Sequence, residues 1–154
     1  MIQAILESAE RLVRTCGCRD PFEAAQLLHI NVWERDLGGM KGFYNIFNRE
    51  RYIVLNQNLS PEEKKIVCAH ELGHDRLHRH FAQFTPLSDF YLYDMARKPE
   101  REANIFGAAF LIADDDIRDH AGYTTEQIAQ ILHTSENYVK LKIELLEHAK
   151  RSLL

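Results

Sequence analysis

The chain has 154 residues, of which 45% are hydrophobic and 27% are charged, so it can bury a core of its own without disulfides or added subunits. This composition excludes disordered, collagen-like and disulfide-scaffold proteins. The formal net charge of -4 argues against a general nucleic-acid binder, because no overall positive field would attract phosphate.

Acidic residues interrupt the apolar pattern at the start of the chain, at Glu7 and Glu10. We therefore expect neither a signal peptide nor a membrane span, and we place the protein in the cytoplasm. The three cysteines, Cys16, Cys18 and Cys68, cannot all pair and lack the spacing of metal or redox hairpins. We expect all three to be reduced thiols without a metal role.

Apolar periodicity predicts two helices at the start of the chain, one over residues 2–15 that ends near Gly17 and one that begins at Pro21 with Asp20 as its N-cap. Three short runs of β-branched and aromatic residues follow. They cover residues 30–33, 42–47 and 52–55. We interpret them as a three-stranded antiparallel sheet, in which the last strand lies at an edge and holds a substrate as an added strand.

A long helix is predicted to begin at Pro61, because Ser60 can cap it and Glu63 can complete a capping box. No helix-breaking residue interrupts the apolar pattern before about residue 80. The remaining predicted elements are an irregular connection over residues 81–98, a helix over 99–112 and two helices after 124 with a turn at 133–135.

The most informative motif lies inside the long predicted helix, where residues 70–74 are His-Glu-Leu-Gly-His. Histidines four residues apart stand on one face of a helix about one turn from each other, so both imidazoles can bind one zinc ion. Glu71 is poorly placed to be a third ligand, but it can take a proton from a water held by the metal. The motif therefore predicts His70 and His74 as zinc ligands and Glu71 as the general base.

A catalytic zinc needs a third protein ligand and an open position, and the candidates are His78, His80, Glu100 and Glu102. His80 has the spacing of the long metzincin motif, but Leu77 stands where that motif needs a glycine. His78 would require three ligands along one straight helix. We expect His78 instead to position a substrate group or to bond to the backbone.

Glu100 is favoured over Glu102 as the third ligand, because Glu100 shares a helix face with Ala103, Asn104 and Gly107. Ala103 and Gly107 are small and would let this helix pack closely against the helix of the two histidines. Asn104 could hydrogen-bond the ring nitrogen of a ligating histidine that does not bind the metal. Glu102 belongs to a different face. For either glutamate, the alternative is an exposed carboxylate favoured in the first turn by the helix dipole.

At these two motifs the chain resembles the ImmA/IrrE family of metallo-endopeptidases, through HELGH followed by Leu77-His78 and through Glu100-x-x-Ala103-Asn104-x-Phe106. The similarity covers most of residues 30–113. It implies a zincin-like, thermolysin-like core and an endopeptidase that cleaves helix-turn-helix repressors of mobile elements or stress regulons. The chain departs from the family at Gly107, where alanine is usual, and at Ala113-Asp114, where Met-Pro or a similar ending is common.

Residues 125–139 resemble a helix-turn-helix. Ala129 and Val139 hold the expected small and apolar positions, but His133 stands where the turn prefers glycine. Lys140 and Lys142, just after this segment, are nearly matched by Glu136 and Glu144, which disfavours DNA binding. We expect the tail to close the core or to hold a protein partner.

Together these patterns predict an α+β protein with a single metallopeptidase domain over residues 1–154. N-terminal helices occupy residues 1–29, the catalytic core occupies 30–113, and a helical, helix-turn-helix-like tail occupies 114–154.

The predicted activity is zinc-dependent cleavage of a regulatory protein, with a helix-turn-helix repressor as the expected partner and no role for membranes or nucleic acid. The side chains considered for stabilising the oxyanion are Tyr91, Tyr93, Tyr123 and His78. The alternative is a sensor or transcription regulator in which the zinc is structural and the tail contacts DNA. A fourth protein ligand would favour that alternative, since a closed zinc has no place for water.

Overall fold

The computed structural model describes residues 1–82 and 98–154, and this part of the chain forms seven helices and three strands. In chain order they are α1 Ile2–Cys16, α2 Pro21–Leu27, β1 Asn31–Arg35, β2 Gly42–Phe47, β3 Glu50–Asn56, α3 Pro61–Ala82, α4 Lys98–Leu111, α5 Asp114–Arg118, α6 Thr125–Leu132 and α7 Glu136–Ser152. This mixture of helices with one small sheet confirms the predicted α+β class. The predicted connection over 81–98 lies almost wholly outside the described residues.

The first two helices begin and end through local chemistry. Gly17 ends α1 in the left-handed conformation, with φ of 77°, and its amide donates to the Val13 carbonyl. The Asp20 side chain accepts hydrogen bonds from the first amides of α2. The apolar stripe of α1 is buried, with Ala9 at its centre, and packs against α4. The α1 helix therefore covers the back of the helix that carries Glu100.

The sheet is mixed, which corrects the predicted antiparallel arrangement. Its strand order is β1-β3-β2, with β3 antiparallel to β2 and parallel to β1. A tight turn at Asn48 and Arg49, both with positive φ, joins β2 to β3, whereas the connection from β1 crosses over the end of β3. Strand periodicity is the same for either direction of pairing, so the sequence pattern alone did not reveal this crossing.

Because β3 is the central strand, the prediction that residues 52–55 form a free edge for a substrate is wrong. Both sides of β3 are paired along its length. The Asn56 side chain at the end of β3 donates to the Gly38 and Met40 carbonyls at 2.9 and 3.0 Å. This buried amide thereby holds the crossing connection in place and compensates its backbone groups.

The long helix α3 packs between the sheet and α4. Ser60 accepts a hydrogen bond from the Glu63 amide at its start, as predicted. Gly73 lies at the crossing with α4, where a β-carbon would stand 3.0 Å from the Cα and carbonyl oxygen of Ala103. Near its end α3 has a non-helical residue, His78, with φ of -127°. The two helices thus approach closely at the turn that carries the histidine pair.

A buried carboxylate fastens α3 to the sheet. Asp75, which is fully buried, accepts hydrogen bonds from the Tyr44 hydroxyl at 2.6 Å and from the Arg51 guanidinium at 3.0 and 3.1 Å. Arg51 also donates to the Leu28 carbonyl, and Arg76 donates to Asp75. The network is charge-assisted and joins α2, β2, β3 and α3, so it sets the position of the helix on which the histidines stand.

The tail packs on α4. Val139 of α7 and Ile128 and Ala129 of α6 form a buried apolar cluster with Ala108 and Ile112. Gly107 also faces the tail, since a β-carbon there would lie 2.6 Å from the Tyr138 hydroxyl oxygen. The prediction that Gly107 lies at the crossing of α4 with α3, the helix of the histidine pair, is therefore wrong. Ala103 lies at that crossing, and Gly107 leaves space for α7.

Candidate metal centre and its cleft

Three of the predicted site residues meet between α3 and α4. His70 and His74 lie one turn apart on α3, and Glu100 reaches them from the first turn of α4. One carboxylate oxygen of Glu100 is 3.0 Å from His70 Nε2 and the other is 3.0 Å from His74 Nε2. All three residues are buried, and one ligand atom from each lies within 4.8 Å of the others.

The environment of these atoms fits a bound cation. Among the described residues neither His74 Nε2 nor Glu100 Oε1 makes a well-angled hydrogen bond, although they are 3.0 Å apart. Buried polar atoms are rarely left in this state unless a ligand completes them. Two imidazole nitrogens and one carboxylate form a donor set that zinc accepts.

The charges point the same way. Burial lowers the pKa of His74 to about 4, so this imidazole is neutral at pH 7 and offers a lone pair. Burial opposes ionisation of Glu100, but its contacts with His70 and His74 prevail and lower its pKa to about 2. Burial likewise opposes a charge on His70, yet Glu100 and Glu71 outweigh it and raise the pKa of His70. At neutral pH the site therefore offers a charged carboxylate and a neutral His74 imidazole, the forms in which these groups bind a metal cation.

Each histidine of the pair has a partner on its other ring nitrogen. His70 Nδ1 lies 2.8 Å from Asn104 Oδ1, and since an amide oxygen can only accept, His70 carries its proton on Nδ1 in that bond. His74 Nδ1 lies 2.9 Å from His78 Nδ1, and His78 Nε2 lies 3.2 Å from Glu102 Oε1. If His78 donates to Glu102, its Nδ1 accepts from His74. In His74 the Nε2 is then left with its lone pair toward Glu100, whereas His70 Nε2 donates to Glu100 Oε2 at 3.0 Å and would exchange that proton for a metal.

These contacts separate the candidates for the third ligand. Glu100 faces the histidine pair and Glu102 faces His78. Among the described residues His78 contacts His74 and Glu102, and the expectation that it positions a substrate group or bonds to the backbone stays a prediction. His80 is exposed and lies outside the cluster.

Glu71, the predicted general base, is fully buried beside the cluster. Its negative charge raises the pKa of His70 and also that of the Tyr138 hydroxyl, after the larger effect of burial on that tyrosine. Glu71 is therefore enclosed beside the three residues that could hold a metal.

A cleft of about 390 Å³ opens beside His70. Its lining combines the residue before β2 with α3, α4 and the start of α7. It comprises Lys41, Glu63, Ile66, Val67, His70, Asn104, Ser135, Asn137, Tyr138 and Leu141. The contribution of α7 was missed at the level of sequence, because its pattern indicated only a buried apolar face. A tyrosine within that face, at position 138, was the one available signal.

The side chains considered for the oxyanion are scattered. Tyr91 and Tyr93 lie outside the described residues. Tyr123 is 54% exposed and stacks edge-on against His120. His78 is bonded to His74 and Glu102 as described above.

A second group with metal-ligand atoms lies at the end of α1, where we expected reduced thiols without a metal role. Cys16 Sγ is 3.2 Å from Cys18 Sγ, and the Cys18 thiol donates to Glu23 at 3.2 Å. The Asp20 amide lowers the pKa of Cys18, but the bonds to Cys16 and Glu23 prevail and raise it to about 11. The thiol is thus protonated at neutral pH, whereas a metal ligand must be a thiolate.

The chain is similar to proteins of a known peptidase family. The model of the IrrE N-terminal-like domain, from peptidase family M78, matches residues 25–145. The chain belongs to the ImmA/IrrE family of metallo-endopeptidases. This confirms the resemblance drawn from the two motifs, and the match extends beyond residues 30–113 to the end of α2 and into the tail.

Two relatives of this ImmA/IrrE protein are similar over most of their length. The uncharacterized immunity region protein 2 of Bacillus phage phi105 is 37% identical over 112 residues, which cover 71% of this chain and 69% of that protein. The metallopeptidase ImmA of Bacillus subtilis strain 168 is 25% identical over 133 residues, which cover 82% of this chain and 76% of that protein.

Within the described residues, no helix combines the length and apolar character needed to cross a bilayer.

Proposed function

We propose that this ImmA/IrrE protein is a zinc-dependent endopeptidase with a zincin-like core that makes site-specific cuts in a regulatory protein. The observation that carries the proposal is the buried convergence of His70, His74 and Glu100 within 4.8 Å. These three residues would hold the metal. When bound, zinc would lower the pKa of a water molecule toward neutrality and polarise the scissile carbonyl.

Side chains of the site orient the ligands and transfer the proton. Asn104 and His78 orient the two imidazoles through Nδ1, so that Nε2 of each points to the metal position. Glu71 accepts a proton from the attacking water and then delivers it to the nitrogen of the leaving amine. Burial of Glu71 keeps bulk water away from this transfer. The cleft beside His70 gives the substrate chain access to these groups.

The proposed substrate is a helix-turn-helix repressor of a mobile element or stress regulon. This partner follows from the family resemblance, and the immunity region protein of phage phi105 supports it because its name places that relative in a phage immunity region. A cleft of about 390 Å³ accommodates a few residues of an extended peptide. We place the reaction in the cytoplasm, where such repressors bind DNA.

The alternative of a structural zinc with a DNA-contacting tail has less support. Within residues 1–82 and 98–154 three ligands meet at the site, which is the number of protein ligands that a catalytic zinc has. The start of α7, which would be the recognition helix, lines the cleft beside His70 through Ser135, Asn137 and Tyr138. Side chains turned toward the cleft are not available to a DNA groove.

The proposal is tested with Glu71→Gln, which keeps the shape of the side chain and removes its ability to take a proton. We expect the variant to keep its metal and its fold and to lose about 10² to 10⁴ in cleavage rate. Wild type and variant are incubated with a helix-turn-helix repressor encoded nearby and with an unrelated unfolded protein, and the products are mapped by mass spectrometry. Rapid cutting of the unrelated protein at many bonds would contradict a regulatory role, and full activity of Glu71→Gln would contradict the mechanism.

A further inference from the structure

Tyr138 is the side chain through which the tail reaches the metal centre. It is the third residue of α7, and its amide donates to Ser135, the N-cap of that helix, at 3.2 Å. The side chain is buried, with 6% of its surface exposed, and packs in the apolar cluster of the tail. Its hydroxyl lies 3.3 Å from Asn104 Oδ1. The start of α7 is thus fixed over the residue that supports His70.

Two donors meet at one oxygen of Asn104. His70 Nδ1 donates to Oδ1 at 2.8 Å, and the Tyr138 hydroxyl donates to the same atom. An asparagine amide has nearly the same shape when turned by half a rotation, but its nitrogen would then face His70. That orientation would favour a proton on His70 Nε2, the atom proposed to bind metal. A second donor at Oδ1 disfavours it.

Gly107 of α4 leaves space for the Tyr138 hydroxyl. A β-carbon on Gly107 would lie 2.6 Å from the Tyr138 hydroxyl oxygen and 3.1 Å from two of its ring carbons. Alanine, which is usual at this position in the family, would therefore collide with the hydroxyl as it stands here. Burial first, and then the charges of Glu71 and Glu100, raise the pKa of Tyr138, so the phenol remains protonated and able to donate.

We infer that Tyr138 is a positioning residue of the proposed metal centre, which holds the Asn104 amide oxygen toward His70 and so makes the helical tail part of that centre. The inference rests on the proposed function, because it assigns His70 as a metal ligand. It goes beyond that function because it assigns to α7 the orientation of Asn104 and, through Asn104, of His70.

The test is a double-mutant cycle on metal affinity. Tyr138→Phe keeps the ring and removes the hydroxyl, and we expect it to weaken Zn²⁺ binding about three- to tenfold, measured by competition with a chromophoric chelator. Asn104→Ala is expected to weaken binding about 10- to 100-fold. In the Asn104→Ala background, Tyr138→Phe should have no further effect, because its route to His70 is gone.

Additional readouts separate positioning from mere packing. The visible spectrum of the Co²⁺ form should change in Tyr138→Phe, since it reports the orientation of the ligands. Gly107→Ala should weaken Zn²⁺ binding as Tyr138→Phe does, because its methyl group would displace the Tyr138 hydroxyl. The control is Tyr52→Phe, whose hydroxyl bonds Glu50 on the sheet, and we expect it to leave both readouts unchanged. Thermal unfolding of the metal-free variants checks that each is folded.

The outcomes are distinct. Unchanged Zn²⁺ affinity and an unchanged Co²⁺ spectrum in Tyr138→Phe would overturn the inference while leaving the proposed function intact. Equal weakening by Tyr138→Phe in the wild-type and Asn104→Ala backgrounds would also overturn it, because the tyrosine would then act through general stability. Failure of the wild-type protein to bind Zn²⁺ would refute the proposed function and the inference with it.

Discussion

At the scale of single residues, Glu100 and Glu102 show how two identical side chains on one helix reach different partners. Residues two apart on a helix project about 200° from each other. Glu100 accordingly meets His70 and His74, and Glu102 meets His78. One carboxylate touches the proposed metal position directly, and the other supports it through two imidazoles in series.

This difference gives a prediction for the matched pair of glutamine variants. Glu100→Gln removes a negatively charged ligand and should weaken Zn²⁺ binding by more than the 10- to 100-fold that is typical of outer partners. Glu102→Gln should cost less than about tenfold, because the amide oxygen can still accept from His78 Nε2. Competition titration with a chelator measures both. Loss of the metal from Glu102→Gln alone would show that the ligand assignment is wrong.

At the scale of secondary structure, the crossing of α3 and α4 determines where Glu100 stands relative to the histidines. The two backbones approach most closely at Gly73, where a side chain would meet the Cα and carbonyl oxygen of Ala103 at 3.0 Å. Backbone atoms cannot turn aside as a flexible side chain can. Any group added at Gly73 therefore has to move one helix against the other.

We predict that Gly73→Ala is net destabilising despite the preference of helices for alanine. That preference is worth about 1 kcal/mol, whereas overpacking against backbone costs about 1 to 3 kcal/mol. The free energy of unfolding should fall by about 1 kcal/mol in urea titrations. Zn²⁺ affinity should fall about tenfold because Glu100 is displaced. Loss of a residue that hydrogen-bonds a metal ligand has an effect of about this size.

Gly39→Ala is the control for this change. Nothing lies within 4 Å of a β-carbon at Gly39, and its φ lies outside the left-handed region. We expect it to alter the free energy of unfolding by less than about 0.5 kcal/mol and to leave the metal affinity unchanged. If Gly73→Ala behaved like Gly39→Ala, the crossing would not be the constraint that positions Glu100.

At the scale of the whole molecule, the elements that meet at the metal centre come from most of the chain. The sheet holds α3 through Asp75, α1 backs α4, and α7 closes the cleft through Tyr138. A ligand that binds at this meeting point stabilises every element that depends on it. Metal loading should therefore be visible in global unfolding.

We predict one tightly bound Zn²⁺ per chain and a higher melting temperature when it is bound. At free Zn²⁺ 100 times the dissociation constant, the gain is about 2.7 kcal/mol, or roughly 5 to 10 °C for a chain of this size. Elemental analysis and thermal unfolding with and without a chelator measure the two quantities. Cys16→Ser should change neither, since the Cys18 thiol beside it is protonated. A stoichiometry of two that falls to one in Cys16→Ser would assign the second metal to the thiol pair.

Much of this protein was predictable from short stretches of sequence. The capping residues Asp20 and Ser60 are used as predicted, and the periodicity of residues 70–74 places two imidazoles on one helix face. The two motifs also identified the family, which the match over residues 25–145 confirms. Such features are decided by φ/ψ preferences and by hydrogen bonds between residues a few positions apart, so they can be read without knowledge of distant contacts.

Only the tertiary structure decided the features that depend on how distant elements meet. β1 runs parallel to β3 because its connection crosses over the end of that strand, and alternating side chains look the same in either direction. Asp75 joins residues 24 and 31 positions away, and Tyr138 meets Asn104 across 34 positions. No local periodicity specifies such pairings. They follow from burial, because polar groups enclosed by packing helices must find partners wherever the fold places them.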